Sequence, residues 1–290
     1  MLMALTILVL GALFITAILA PPVYAGLLLV YPEMPWPFSR VFNRVAMLAT
    51  LIMVLLLRRH FDLLGVKALL RQTAGALPAV AGGLLLAFVV SALTLPFIVG
   101  TGELIWRHRT GAELGSKLLA ILPAGLLIGV IEEIFFRGLV FERMKVRSGL
   151  WRAIVFSSLV YAVVHFITPV KSFPWTGWSP GYGFEYLAVV FERMLDPSLL
   201  PPILGLFLVG VGLCCILHRT GSLYLCIGLH AGWVAAVKLT AYVTAVAPGY
   251  EFPVSTGQRY FLVGQPVGWL SVIAVAVLVL WVGRRRPSPV

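Results

Sequence analysis

The sequence predicts an all-α, polytopic membrane protein of about eight transmembrane helices in one bundle. Three observations carry this. The chain of 290 residues is 60% hydrophobic, with a mean hydropathy of +1.00. Only 11% of it is charged, where a soluble domain carries about 25%. The apolar residues fall in eight long runs, and the basic residues between the runs alternate in density.

In chain order the runs are roughly 2–20, 42–57, 76–100, 118–141, 152–168, 199–217, 222–246 and 263–283. Each approaches the length needed to cross ~30 Å of hydrocarbon. The first lacks a basic lead-in and reads as a retained helix, which can extend past Pro21 and Pro22 to about Val30. Residues 31–39 are rich in Pro and Trp and read as an interfacial turn. Pro78, Pro96 and Pro123 mark kinks or helix ends. The connection 169–198 holds Trp175 and Trp178, typical of a membrane interface. Its second half, 184–195, reads as an amphipathic surface helix that could gate access from the lipid. The pentapeptide 140–144 recurs at 190–194 without flanking similarity, so it is not taken as a repeat. No soluble domain or linker is visible, and one transmembrane domain over 1–290 is the economical reading.

Lys and Arg in the connections set the orientation. One side carries Arg58, Arg59, Lys67, Arg71, Arg143, Lys145, Arg147, Arg152, Arg219 and Arg284–Arg286, against only Asp62 and Glu142 as acids. The other carries Arg40, Arg44, Arg107, Arg109, Lys117, Lys171, Arg193 and Arg259 together with Glu33, Glu103, Glu113, Glu185, Glu192, Asp196 and Glu251. The alternation places both termini in the cytoplasm. The net charge of +11 then reflects membrane topology, and no nucleic-acid partner is expected. Cys214, Cys215 and Cys226 have no zinc-ligand spacing and read as small buried apolar residues.

Charge inside the apolar runs is scarce, and it gathers at Gly129–Gly138. A charge at bilayer depth costs from ~2.5 to more than 10 kcal/mol, so Glu132, Glu133 and Arg137 within six residues need a reason. Glu133 and Arg137 are i and i+4 and can pair. Glu132 is turned about 100° away, which leaves it for chemistry; the plain alternative is a fixed ion network between helices. The other candidates at this depth are His165 and His230. At 1.5 Å per residue, Glu133 lies about 15 Å from Arg143, His165 about 20 Å from Arg152 and His230 about 17 Å from Arg219. They share one slab of the bilayer. A single membrane His is usually an interhelical hydrogen-bonder, but two beside a Glu suggest a site. Tyr161, four residues before His165, can orient that ring or simply pack. Lys238 reads as a residue reaching for the outer surface.

One Glu, two His and water suit hydrolysis of an amide. A carboxylate withdrawn from water is a stronger base and can take a proton from the attacking water, while a His stabilises the oxyanion. Alternatively, Glu132, His165 and His230 can hold zinc as a His₂Glu site. A Ser nucleophile at Ser157 or Ser158 is less attractive, because no Asp lies in any run.

These residues resemble the CAAX prenyl endopeptidase and bacteriocin-processing (Abi, type II CAAX) family of intramembrane proteases. Its Glu-Glu-x-x-x-Arg signature is matched by Glu132, Glu133 and Arg137, with Gly138 following. Its Phe-x-x-x-His is matched by Tyr161 and His165, with Tyr for Phe. Its His-x-x-x-Asn is matched by His230, with Val234 in place of Asn. The resemblance covers about 118–240. It implies about eight membrane helices around a site open to the cytoplasmic leaflet. It implies that Glu132 activates water, that Glu133 and Arg137 support it, and that His165 and His230 bind the substrate oxygen or a metal. The favoured reading needs no cofactor, with zinc as the alternative. The implied partners are the lipid bilayer and the tail of a protein or lipidated-protein substrate. The compact all-membrane design and basic loops suggest a bacterial inner (plasma) membrane. The other reading is a non-proteolytic immunity or chaperone-like factor of the same fold. A transporter is a weaker third, since the chain lacks internal symmetry.

Overall fold

The apolar runs become helices. The computed structural model describes residues 2–61, 63–167, 170, 172–252 and 261–283. Six helices are long and apolar enough to cross a membrane, and Leu150–Val164 and Pro266–Val282 are shorter apolar helices. Together they correspond one for one to the eight runs. Asp62, Lys171, Arg259 and Arg284–Arg286, which entered the charge count, lie outside the described residues.

The chain divides into two compact units, Met1–Phe61 with Val164–Asp196, and Asp62–Val163 with Pro197–Val290. In the first, α1 (Leu2–Val30) runs unbroken through Pro21 and Pro22, and α2 (Phe38–Leu56) starts directly after Pro37. The expected surface helix is amphipathic, but it does more than lie on a surface. Tyr182, Tyr186, Leu187 and Val190 bury into a core shared with Ala17, Ala20, Tyr24, Phe38 and Phe42. Phe38 sits at the centre of these rings, edge-on to Tyr24, Tyr182 and Tyr186. Edge-to-face packing of this kind adds to simple burial.

The second unit holds α3 (Leu63–Arg71), α4 (Ala76–Val99), α5 (Gly111–Glu133), a π-helical segment (Ile134–Phe141) and α6 (Glu142–Ser148). It also holds α7 (Leu150–Val164) up to Val163, and then α9 (Leu200–Thr220), α10 (Leu223–Val243), α11 (Phe261–Gly264) and α12 (Pro266–Val282). The helix of the first unit, Tyr182–Met194, is α8. Two details differ from expectation. The connection 58–71 contains α3, whose nine residues are too few for periodicity to show. The run 222–246 stops being helical at Val243, and β1 (Leu104–Trp106) pairs antiparallel with β2 (Thr244–Val246). Three-residue strands leave no alternation to read.

Helix α10 is the axis of this unit, and glycine allows that. A Cβ on Gly228 would collide with the Val80 carbonyl, and one on Gly232 with the Leu84 carbonyl, so α4 touches α10 backbone to backbone. On the other side, a Cβ on Gly125 would lie 3.0 Å from the Ala231 oxygen, and one on Gly129 2.9 Å from the Ile227 oxygen. Small residues spaced by four are how membrane helices approach closely, since lipid provides no hydrophobic drive between them. Gly228→Val is expected to destabilise the protein by about 1–3 kcal/mol or more through overpacking. Thermal unfolding of the detergent-solubilised protein measures it, and an unchanged midpoint would contradict the close α4–α10 approach.

Candidate active site

The α4–α10–α5 sandwich brings His230 against the carboxylates. A capping box of Thr110 and Glu113 starts α5. Its last two residues are Glu132 and Glu133, and the helix then widens into the π segment, where the Glu142 N–H donates to the Arg137 carbonyl. Runs of π-helix are rare and concentrate at functional sites. The Phe136 carbonyl in this segment also meets α7, where the buried Ser157 hydroxyl donates to it at 3.3 Å. Ser158 lies 4.0 Å from the Cys214 sulfur. Both hydroxyls are therefore occupied in packing. Ser157→Ala is expected to lower stability by ~1 kcal/mol, read as a modest fall in the thermal midpoint. No change would show that the π segment does not need this bond.

Glu133 is fully buried and is the hub. Its Oε1 lies 3.1 Å from Arg137 Nη1 and 2.7 Å from His230 Nδ1. Arg137 is also fully buried. Its guanidinium stands 4.5 Å from the Tyr161 ring centroid, a cation–π contact that strengthens when water is excluded. Tyr161 meets His230 edge-on at 5.9 Å and Phe136 edge-on at 5.1 Å. A carboxylate beside a guanidinium accepts hydrogen bonds, so the proton on His230 sits at Nδ1 and Nε2 points the other way. Nε2 lies 3.7 Å from Glu132 Oε2. The Glu132 side chain remains 26% accessible, against 0% for Glu133.

The structure thus gathers Glu132, Glu133, Arg137, Tyr161 and His230 in the second unit. His165 lies just beyond the end of α7, in the first unit. Glu132, turned about 100° from Glu133 and with no charged partner on its own helix, approaches the other ring nitrogen of the same histidine. Both carboxylates converge on one imidazole, one at each nitrogen. Among the described residues no group of three His, Cys, Asp or Glu side chains is arranged to hold a metal ion, and His230 Nδ1 is bonded to Glu133. Cys214, Cys215 and Cys226 are free thiols, and Cys215 alone is not fully buried. Sequence reasoning weighed Ser157 only as a nucleophile and missed the glycine contacts of α10. The Gly125/Gly129 and Gly228/Gly232 spacings were the available signal for the second.

Apolar helices around a buried carboxylate–guanidinium–imidazole cluster define an integral membrane protein with an enzyme-like site. Residues 114–236 match the family model described as type II CAAX prenyl endopeptidase Rce1-like. The match covers less than half of the chain, and the family it describes is one of intramembrane endopeptidases. The matched stretch contains every site residue named above. No curated protein and no solved structure matched the chain.

Proposed function

We propose that the protein hydrolyses a peptide bond near the membrane-associated C-terminal tail of a protein substrate, with Glu132 as the base. The observation that carries this is the asymmetry of the two carboxylates around His230. Glu133 is sealed, ion-paired with Arg137 and hydrogen-bonded to His230, while the Glu132 side chain remains 26% accessible. In this reading Glu132 takes a proton from water as the water oxygen bonds to the scissile carbonyl carbon. The C–N bond then breaks, and the proton passes to the leaving amine. Glu133 and Arg137 are positioning residues. They hold His230 in one tautomer, so that Nε2 faces the reacting centre and can share the proton with Glu132. The role of His165 in binding the substrate oxygen rests on its motif with Tyr161. The proposed catalytic core is 118–240, within a chain whose termini are cytoplasmic in a bacterial plasma membrane.

One observation favours a second reading. Val234 stands where the family signature has Asn, and an aliphatic side chain cannot donate to an oxyanion. A non-proteolytic factor of the same fold would keep the buried cluster as structure. The test compares the C-terminal ends of membrane-associated proteins, by mass spectrometry, in cells making the wild type or Glu132→Gln. Tails left uncut only with the variant support hydrolysis. Identical tails at equal protein level support the second reading.

A further inference from the structure

Away from the carboxylates, α4, α10 and the end of α12 enclose an apolar groove of about 320 Å³ lined by Leu86, Leu225, Leu278, Val279, Val282 and Gly283. That is the small end of the range for ligand sites. Leu278 and Val282 are also exposed on the outside of the molecule, so in a membrane the groove opens sideways to lipid.

Three chain segments meet at one end of it. The Tyr224 hydroxyl donates to the Leu70 carbonyl at 2.8 Å, which holds Leu70 and Arg71 against the start of α10, next to Leu225. The Thr220 methyl would lie 3.1 Å from a Cβ on Gly283, which sets Arg219 and the end of α9 beside the groove. Gly283 is followed in sequence by Arg284, Arg285 and Arg286. No Asp or Glu occurs between Asp62 and Glu103, between Asp196 and Glu251, or after Glu251. The groove is therefore apolar along its length, and the segments that carry Arg71 and Arg219 meet at one end of it.

We propose that this groove binds one anionic phospholipid, with an acyl chain against Leu225, Leu278 and Val279 and the phosphate held by Arg219 and Arg71. Basic clusters where membrane helices end recognise anionic headgroups in this way. The chain's own last residues, Arg284–Val290, offer only Val290 and two prolines as apolar groups and are a poor filling for the groove. This site is independent of the proposed proteolysis, and its test needs no activity.

The experiment uses the full chain, purified in detergent, exposed to an equimolar mixture of phosphatidylglycerol and phosphatidylcholine, with bound lipid counted by native mass spectrometry. The wild type is expected to retain one phosphatidylglycerol in preference to phosphatidylcholine, and to lose the preference as salt rises. Arg219→Gln, a change at a partly exposed helix end, is expected to cut the preference about five-fold. Leu278→Trp, at a residue 43% exposed, is expected to fill the groove and abolish retention of that lipid. Equal retention of the two lipids by the wild type overturns the proposal, as does retention unchanged by Leu278→Trp. A chain ending at Gly283 that binds more lipid than the wild type also overturns it, since the tail would then be the occupant.

Discussion

Glu132→Gln is expected to lower the rate of peptide-bond cleavage by about 10²–10⁴, the usual contribution of a positioned general base, while the protein accumulates at the wild-type level. The amide keeps the size of the carboxylate and can still hydrogen-bond, but it cannot take a proton from water. Glu132 retains 26% accessibility and stands 3.7 Å from His230 Nε2, longer than a direct hydrogen bond. Removing its charge therefore leaves the Glu133–Arg137 pair and the Nδ1 bond of His230 intact. Loss of cleavage at normal abundance is the signature of chemistry. A variant that cleaves normally would sink Glu132 as the base. A variant that fails to accumulate would mean that Glu132 belongs to the structural cluster.

The contrast with Glu133 was only half visible in the sequence. The i,i+4 spacing of Glu133 and Arg137 was readable, because helical geometry places such residues on one face. That Glu132 and His230 lie at a similar level was suggested by their distances along the chain from the nearest arginines, and the two side chains do come together. The meeting of Glu132 and Glu133 on opposite nitrogens of one ring was not. Rotating Glu132 by an α-helical step turned it away from Glu133, but that sum ignores a third group large enough to span both. The π segment that begins at Ile134 was also hidden, since closing each backbone hydrogen bond one residue further along the chain leaves no mark on hydropathy. Its partner Ser157 was noticed only as a possible nucleophile, whereas the structure uses it on the Phe136 carbonyl. The eight runs were read well because bilayer thickness imposes length. The β1–β2 ribbon was missed because nothing imposes a pattern on three residues.

Arg137→Met is expected to remove most of the folded protein. It leaves Glu133 fully buried with no counter-charge from its own helix, and breaking a buried pair from one side destabilises by ~3–5 kcal/mol. Glu133→Gln is expected to act similarly by stranding the Arg137 guanidinium, whose Nε and Nη2 have no hydrogen-bond partner among the described residues. The double variant Glu133→Gln/Arg137→Met removes both charges, and the Gln carbonyl can still accept from His230 Nδ1. It should therefore be more stable than either single variant, with a coupling of about 2–3 kcal/mol in a double-mutant cycle measured by unfolding in detergent. Additive losses, or single losses below ~1 kcal/mol, would show that the two buried charges do not offset one another. Cleavage by the recovered double variant separates two roles for Glu133. If its charge serves only to offset Arg137, activity returns with stability. If it also favours the protonated imidazole as the amine departs, the folded double variant cleaves slowly, and Glu133 is a positioning residue for His230 as well as a partner for Arg137.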